Sequence, residues 1–294
     1  MKSLVNTLLV LSSLLLALPS MAREPLPERI ASTDPGAYRV GSGAHQGAGE
    51  IHYDTLIPGS AFTTNFNFVH RGFLPPGGGI GHHFHNQMEE MYFILDGEAE
   101  FTINGRTSTI KGPAAVPCRM GDSHAILNVT DKPVQWMNIA VTTRKGIYDN
   151  FDLGDDRVGA AQDKVPVFVN ARFDKSLLQP MPGLHGGTGT AFYRRALNPD
   201  VFFTNWSYVD HLVLPEGVTV GKKRHANVEE IYYIQSGAGM ITVNDETAPI
   251  SKDDALVIPL NDVHSIANTG DSDLQILIIG AVTQKWMLDT IEME

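Results

Sequence analysis

The chain has 294 residues, a formal net charge of −11 and 43% hydrophobic residues, enough for one large domain or two of ordinary size. Such an acidic chain is a poor candidate for binding nucleic acid or an anionic membrane, because both attract clustered Lys and Arg. The single cysteine, Cys118, allows no intramolecular disulfide, so stability must come from a hydrophobic core.

The first 22 residues have the pattern of a secretory signal peptide. Lys2 supplies a positive start, an apolar run extends from Leu4 to Leu18, and Ser20-Met21-Ala22 is a small-x-small cleavage site. We predict cleavage before Arg23 and export of the mature chain to the periplasm or the medium. No second long apolar run follows, so no membrane attachment is expected after cleavage.

Residues 24–60 are rich in Gly, Pro and small polar residues, which is typical of an extended arm with turns. His45 and His52 lie in this arm and are interpreted as exposed polar residues. From Thr63 the sequence alternates between apolar and polar residues with Gly and Pro punctuation, including a turn at Asn104-Gly105. Many short strands with regular turns and no helical period predict an all-β barrel or sandwich.

The most informative stretch is GGGIGHHFHNQMEEMYFILDG, residues 77–97. His83 and His85 are two residues apart, so on a strand both side chains point to the same face. Glu90 from the next strand and His124 from further downstream would add a carboxylate and a third imidazole. Such a set of donors suits a divalent transition metal: Fe, Mn, Ni, Zn or Cu.

The spacing of these residues resembles the two sequence motifs of the cupin superfamily. The residues that match are Gly77, His83, His85, Glu90 and Gly97 in the first motif, and Gly121, His124 and Asn128 in the second. Pro117 departs from the pattern, since it lies two residues further from the glycine than usual. The resemblance implies a small double-stranded β-helix (jelly-roll) barrel with a three-histidine, one-glutamate metal site at its centre.

Two residues beside these ligands are out of phase with them. In a regular strand His82 points opposite to His83, so we expect it to support the site from behind or to lie on the surface. Glu89 likewise points away from Glu90 and is expected to be a charge on the barrel surface.

The second half of the chain repeats the first at a constant offset of 140 residues. The matches include Leu74-Pro75 with Leu214-Pro215, Glu89-Glu90 with Glu229-Glu230, and His124 with His264. Over roughly residues 60–142 and 200–282 the chain therefore resembles a bicupin, a tandem pair of cupin barrels. We predict an N-terminal cupin domain with its arm at residues 23–150 and a C-terminal cupin domain with its connecting arm at residues 151–294. Within the connecting arm, Val165 to Val169 is predicted to be an edge strand of the second barrel.

The two copies differ at one ligand position. Lys223 stands where the first copy has His83, whereas His225, Glu230 and His264 remain. The second site could still hold a metal through two histidines and a carboxylate. Alternatively, Lys223 could replace the cation by pairing with Glu230, and we favour this interpretation because an ammonium beside a metal is repelled and cannot ligate it.

Four protein ligands on a six-coordinate metal leave two positions for a small-molecule substrate, water or dioxygen. Arg119, on the loop before His124, is a candidate clamp for a substrate carboxylate. Tyr92 is a second candidate for a role in the reaction. Tyr92, Phe66, Phe101 and Trp136 could form an apolar pocket wall, although we interpret at least two of them as ordinary barrel core.

Among bicupins, the oxalate decarboxylases and oxidases carry an arginine three residues before the first metal histidine, where this chain has Ile80. The resemblance is better to quercetinase-like aromatic dioxygenases, which tolerate a degenerate second barrel. The leading hypothesis is therefore an exported, metal-dependent, dioxygenase-like oxidoreductase that acts on a small organic substrate in the N-terminal barrel. The alternatives are a non-redox lyase, isomerase or decarboxylase, or a small-molecule-binding cupin without turnover. Exposed barrel edges are compatible with a homodimer.

Overall fold

The computed structural model describes residues 23–293, and this part of the chain forms 24 β-strands, seven short 3-10 helices and no α-helix. The predicted signal peptide, residues 1–22, lies outside the described residues. The 3-10 helices are Leu26–Arg29, Pro35–Ala37, Ala44–Gln46, Gly59–Ala61, Lys175–Leu177, Leu184–Gly186 and Pro199–Val201. The prediction of an all-β chain is confirmed.

The first twelve strands are β1 (Ile30–Ser32), β2 (Arg39–Ser42), β3 (Glu50–Pro58), β4 (Phe66–Leu74), β5 (Gly79–Phe84), β6 (Met88–Asp96), β7 (Glu98–Ile103), β8 (Arg106–Lys111), β9 (Ala114–Cys118), β10 (His124–Leu127), β11 (Val134–Thr142) and β12 (Phe151–Asp152). The second twelve are β13 (Ala171–Arg172), β14 (Gln179–Pro182), β15 (Thr190–Leu197), β16 (Trp206–Leu214), β17 (Thr219–Arg224), β18 (Val228–Ser236), β19 (Ala238–Val243), β20 (Glu246–Ser251), β21 (Asp254–Ile258), β22 (His264–Ala267), β23 (Leu274–Val282) and β24 (Ile291–Glu292).

These strands form two jelly-roll barrels, each made of a seven-stranded and a five-stranded sheet. The first barrel has the strand orders β13-β9-β6-β11-β4-β3-β2 and β12-β5-β10-β7-β8. The second has β1-β21-β18-β23-β16-β15-β14 and β20-β19-β22-β17-β24. The tight turn predicted at Asn104-Gly105 joins β7 to β8, and both residues have the positive φ that a two-residue hairpin loop requires. The predicted tandem barrels are thus confirmed.

The two barrels exchange their edge strands. The N-terminal strand β1 pairs with β21 of the second barrel, and β13 of the connecting arm pairs with β9 of the first. Strand β12 pairs with β5, so the first barrel continues two residues past the boundary predicted at residue 150. Each barrel is therefore completed by a segment of chain that lies next to the other barrel in the sequence.

The edge strand predicted at Val165 to Val169 does not form. Val165, Val167 and Val169 are 71%, 57% and 45% exposed, and the short strand after them, β13, joins the first barrel instead of the second. Phe168 packs beside Phe101 with 6.3 Å between the ring centroids. The segment therefore contacts the first barrel through the side chain of Phe168, without a ladder of backbone hydrogen bonds.

The core is divided into three large parts by the alternation of side chains along the strands, and Phe68, Met88 and Ala140 form a small fourth cluster. In the first barrel, Tyr92 and Ile94 of β6 face the interior between the two sheets. Their neighbours Met91 and Phe93 face the second barrel and join a core that also contains Trp206. The interior of the second barrel forms the third part. Strand β6 therefore contributes one face to the barrel interior and the other to the contact between barrels.

Candidate metal centre

Three strands of the first barrel bring the predicted ligands together. Strands β5 and β10 pair antiparallel with His83 opposite His124, and His85 follows directly after the end of β5. Glu90 lies on β6, whose interior face points to the same place. All four side chains are buried, with residue exposures of 4% or less.

The donor atoms converge at one point. The Nε2 atoms of His124, His85 and His83 lie 3.1, 3.4 and 3.9 Å from Oε2 of Glu90. One ligand atom from each of the four residues lies within 4.8 Å of all the others. A cluster of three imidazoles and one carboxylate at this spacing fits a divalent transition metal ion.

Backbone carbonyls fix the orientation of the three imidazole rings. The Nδ1 atoms of His83, His85 and His124 contact the carbonyl oxygens of Gly81, Asp149 and Asp122 respectively. Since a carbonyl oxygen can only accept, each Nδ1 carries the hydrogen in the neutral ring and Nε2 keeps a free lone pair. The Nε2 atoms of His83 and His85 are buried without a hydrogen-bond partner, which is costly unless an ion completes the site.

The pKa shifts of His83 and Glu90 match this arrangement, whereas Glu90 raises the pKa of His85 against the effect of burial. Burial, with His124 nearby, lowers the pKa of His83 to about 2, so its imidazole is neutral. Burial alone would raise the pKa of Glu90, but His85 and His124 outweigh it and hold that pKa well below the usual value. A neutral imidazole and an ionised carboxylate are the forms that bind a metal.

Asn138 supports Glu90 from the barrel wall, and Tyr92 lies beside the cluster. Asn138 of β11 donates from Nδ2 to Glu90 Oε1 at 3.0 Å, which leaves Oε2 as the oxygen nearest the histidines. Tyr92, predicted as a candidate for the reaction, is 2% exposed, and its ring centroid lies 5.8 Å from that of His124. Burial and the charge of Glu90 raise the pKa of the Tyr92 phenol well above its usual value, so it remains protonated.

The predicted aromatic wall is partly correct. Tyr92 contacts Phe101 and Trp136, with ring centroids 5.6 and 6.3 Å apart, and all three line the interior of the first barrel. Phe66 belongs instead to the core between the barrels, where it lies 6.3 Å from Trp206. The prediction of Phe66 in the pocket wall was wrong because its position on β4 faces the other barrel.

Arg119 gains no support as a substrate clamp. Its Nε donates to Asp122 at 2.9 Å, and its guanidinium lies 5.4 Å from the ring centroid of Phe203 in the second half of the chain. His82, expected to support the site or lie on the surface, is 7% exposed, and its Nε2 lies 2.8 Å from the Ser123 hydroxyl. It thus fixes the loop just before His124.

His45 was missed by the sequence interpretation. Its ring stacks on that of His83 with centroids 3.7 Å apart and 4° between the planes, and its Nδ1 lies 2.7 Å from Asp152. The loop approaches so closely because a Cβ on Gly81 would overlap the carbonyl oxygen of His45. A signal was present, since His45 recurs as His185 at the offset of 140 residues.

Glu89 is not a surface charge. It is 1% exposed and accepts hydrogen bonds from the backbone of Phe203 and from the backbone and hydroxyl of Thr204, at 2.8, 2.8 and 2.6 Å. Glu229 accepts the same type of bonds from Thr63 and Thr64 in the reverse direction. The face of β6 opposite Glu90 is covered by the second barrel, which is why the expectation of an exposed charge was wrong.

The second barrel brings together the residues predicted as its possible metal site. His225, Glu230 and His264 are buried, and one ligand atom from each lies within 4.8 Å of the others. Lys223 points into the same cluster, with Nζ 3.2 Å from Glu230. The favoured interpretation, a pairing of Lys223 with Glu230, agrees with this geometry.

Two tandem barrels, one with four buried metal donors, define the class of the chain. The family model described as Cupin domain matches at residues 71–140 and again at 210–280. The chain belongs to the cupin family, and its two matched domains make it a bicupin. Among residues 23–293, no helix is long and apolar enough to cross a membrane.

Comparison with known proteins gives both sequence relatives and structural neighbours. An oxalate-binding protein of Thermotoga maritima is 31% identical over 96 residues, which is 33% of this chain and 79% of that protein. The oxalate decarboxylase of Bacillus subtilis has a TM-score of 0.62 at 16% identity, covering 90% of this chain and 79% of that one. The salicylate 1,2-dioxygenase of Pseudaminobacter salicylatoxidans has a TM-score of 0.56 at 16% identity, covering 75% and 72%. At these identities the structural likeness is one of fold.

Proposed function

We propose that the chain is a metal-dependent enzyme whose first barrel acts on a small organic substrate as a dioxygenase-like oxidoreductase. The observation that carries this proposal is the convergence of His83, His85, Glu90 and His124, with Nε2 of His83 and His85 buried and unpaired. When bound there, a divalent transition metal would supply Lewis acidity and, if redox-active, electron transfer to or from the substrate and dioxygen.

The surrounding residues would orient the ligands and exclude water. Asn138 holds Glu90, and backbone carbonyls hold the three imidazoles in the tautomer with a free Nε2. Tyr92, Phe101 and Trp136 cover the interior side of the centre with buried aromatic surface. A site of this kind holds an oxygen-donor substrate in an environment of low dielectric constant, where electrostatic interactions with the metal are strong.

The apolar interior of the first barrel favours a substrate whose buried part is uncharged over a small dianion. The oxalate enzymes carry an arginine at the position of Ile80, which here is 5% exposed and packs in the apolar interior. The fold shared with salicylate 1,2-dioxygenase is in keeping with an aromatic substrate. The oxalate-binding relative, and a structural neighbour with Mn(II) centres that decarboxylates oxalate, instead favour the non-redox alternative, a decarboxylase for a small dicarboxylate.

The first test is metal content. Elemental analysis of the wild-type chain is compared with His124→Ala, which removes one ligand, and with His52→Ala as a matched control. His52 stacks on Phe73 and contacts no residue of the cluster. We expect one transition metal per chain in wild type and in the control, and a loss of at least ten-fold in His124→Ala. Full retention of metal in a folded His124→Ala would refute the assignment of this site.

The second test separates redox from non-redox chemistry. Salicylate and oxalate serve as probes, and turnover is measured with and without dioxygen in protein loaded with Fe or Mn and in protein loaded with redox-inert Zn. Oxygen uptake that requires Fe or Mn would support the oxidoreductase. Turnover of oxalate by any of these forms without dioxygen would support the decarboxylase instead. Binding of a probe without turnover would favour a binding protein.

The remaining proposals concern location and assembly. We propose that residues 1–22 direct export to the periplasm or the medium, which N-terminal sequencing of the exported protein would test by the presence of Arg23 at its start. A homodimer is also proposed, from the exposed sheet edges. Sedimentation of the purified chain would refute it by giving the mass of a monomer at every concentration.

A further inference from the structure

The second barrel places a lysine where the first barrel places a metal ligand. Lys223 of β17 lies opposite His264 of β22, in the same register that sets His83 opposite His124. Lys223 is 7% exposed, and its Nζ lies 3.0 Å from Nε2 of His225. The same Nζ lies 3.2 and 3.3 Å from the two carboxylate oxygens of Glu230.

These contacts use two of the three donor groups that a metal would need, and only Nε2 of His264 is left buried without a hydrogen-bond partner. His225 contacts the carbonyl oxygen of Asp289 through Nδ1, so its Nε2 is the acceptor that faces Lys223. The corresponding Nε2 of His85 in the first barrel has no hydrogen-bond partner. The ammonium of Lys223 has three donors and no lone pair, and it satisfies the ring and the carboxylate together.

The second partner of the glutamate also differs between the barrels. The hydroxyl of Tyr208 donates to Glu230 Oε1 at 2.7 Å, where the first barrel has Phe68 and Glu90 Oε1 accepts from Asn138 instead. The decisive difference is therefore Lys223, which contacts both oxygens of Glu230. A divalent ion at this point would compete with Lys223 for Glu230 and would lie within a few ångströms of a fixed positive charge, which repels it.

The interior next to this cluster is also occupied by a charged pair. Asp210 stands where the first barrel has His70, and it accepts from Arg195 at 2.9 and 3.0 Å and from Tyr193 at 2.8 Å. The second barrel thus balances its buried carboxylates with cations of its own chain. His225, Glu230 and His264 resemble a metal triad in spacing, but Lys223 already pairs with His225 and Glu230, which leaves His264 as the one donor without a partner.

We propose that the second barrel is a metal-free site in which the ammonium of Lys223 takes the place of the metal ion. The chain then binds a single metal, in the first barrel, and the second barrel keeps its fold without one. The proposal also implies that one side chain decides between the two states, so that Lys223→His converts the second barrel into a metal site.

The experiment measures metal per chain in the full mature protein after equilibration with Zn(II) or Mn(II) and removal of unbound metal. Wild type is expected to bind one ion, and His264→Ala is expected to bind one as well. Lys223→His is expected to bind two. The control is Lys222→His, which makes the same substitution at the adjacent exposed position and is expected to bind one.

Several results would overturn the proposal. One is a folded Lys223→His that binds no more metal than Lys222→His. Another is a wild type that binds two ions, of which His264→Ala loses one. If Lys223→His does not fold, His124→Ala decides the question, because the proposal requires this variant to bind no metal. If His124→Ala does bind an ion, and the double variant with His264→Ala loses that ion, the proposal is wrong.

Failure of the proposed function is distinguishable from failure of this inference. If wild type binds no metal, the first barrel is not a metal centre, but Lys223→His is still expected to gain one ion relative to Lys222→His. If wild type and Lys223→His both bind one ion that His124→Ala removes, the first barrel is a metal centre and the inference about the second is wrong.

Discussion

Removal of the Glu89 carboxylate is predicted to loosen the contact between the two barrels. Glu89 is 1% exposed and accepts three hydrogen bonds from Phe203 and Thr204 of the second barrel. In Glu89→Ala those donors lose their acceptor and remain buried at the contact. The substitution therefore tests whether the hydrogen bonds that Glu89 of β6 accepts from the second barrel stabilise the contact between the barrels.

The magnitude follows from the number and type of the lost bonds. A hydrogen bond to a charged group contributes about 1.5–3 kcal/mol, and a buried donor left unpaired costs about 1–3 kcal/mol. Because water can enter and the three bonds share one acceptor group, we expect a total loss of about 3–5 kcal/mol and not the full sum. Glu89→Gln keeps one acceptor oxygen, so its loss should be about 1–2 kcal/mol.

Urea unfolding followed by tryptophan fluorescence and circular dichroism measures this loss. The core between the barrels contains Trp206 and the first interior contains Trp136, so separation of the barrels would give transitions at different urea concentrations. Glu98→Ala is the matched control, an exposed glutamate on the next strand that should change stability by less than about 0.5 kcal/mol. A loss in Glu89→Ala no larger than that of the control would refute the reasoning.

Three further predictions concern other parts of the chain. Burial lowers the pKa of His211 to about 4, so the unfolded chain binds this proton first and about 1–3 kcal/mol of stability is lost as the pH falls from 6.5 to 4. His211→Gln should reduce the pH dependence of stability between pH 6.5 and 4 in urea titrations, and an unchanged slope would contradict the prediction. Asn138→Ala should lower metal affinity about 10–100-fold in calorimetric titration while circular dichroism stays unchanged, and equal affinity would show that Glu90 needs no support. Phe66→Ala should lower the free energy of unfolding by about 3–5 kcal/mol without changing metal affinity. Lower metal affinity with unchanged stability would instead indicate that Phe66 lines the pocket.

The sequence by itself was sufficient for the class of fold and for the cluster of metal donors. The alternation of apolar residues is a local property of a strand, and the period of two places His83 and His85 on one face. The repeat at an offset of 140 residues is likewise visible in the amino-acid sequence alone. These features need no knowledge of which strands pair, whereas the place of Glu90 and His124 in the same site was predicted from the resemblance to the cupin motifs.

The tertiary structure decided which surfaces are covered. Alternation predicts that Glu89 points away from Glu90, but it does not say what lies on that side. The contact with Phe203 and Thr204, 114 and 115 residues further along the chain, is what buries it. The position of Phe66 was predicted wrongly for the same reason. An apolar side chain can pack into the interior of its own barrel or against the neighbouring barrel, and the sequence does not distinguish the two.

The tertiary structure also decided what joins the site from distant segments. His45 lies in a glycine-rich arm with no strand pattern, and only the packing of that arm against Gly81 brings its ring onto His83. The direction of Lys223 was open as well, since a long flexible side chain can turn to solvent or inward. Its pairing with Glu230 depends on the closed barrel, where a buried carboxylate requires a cation and the chain itself provides one.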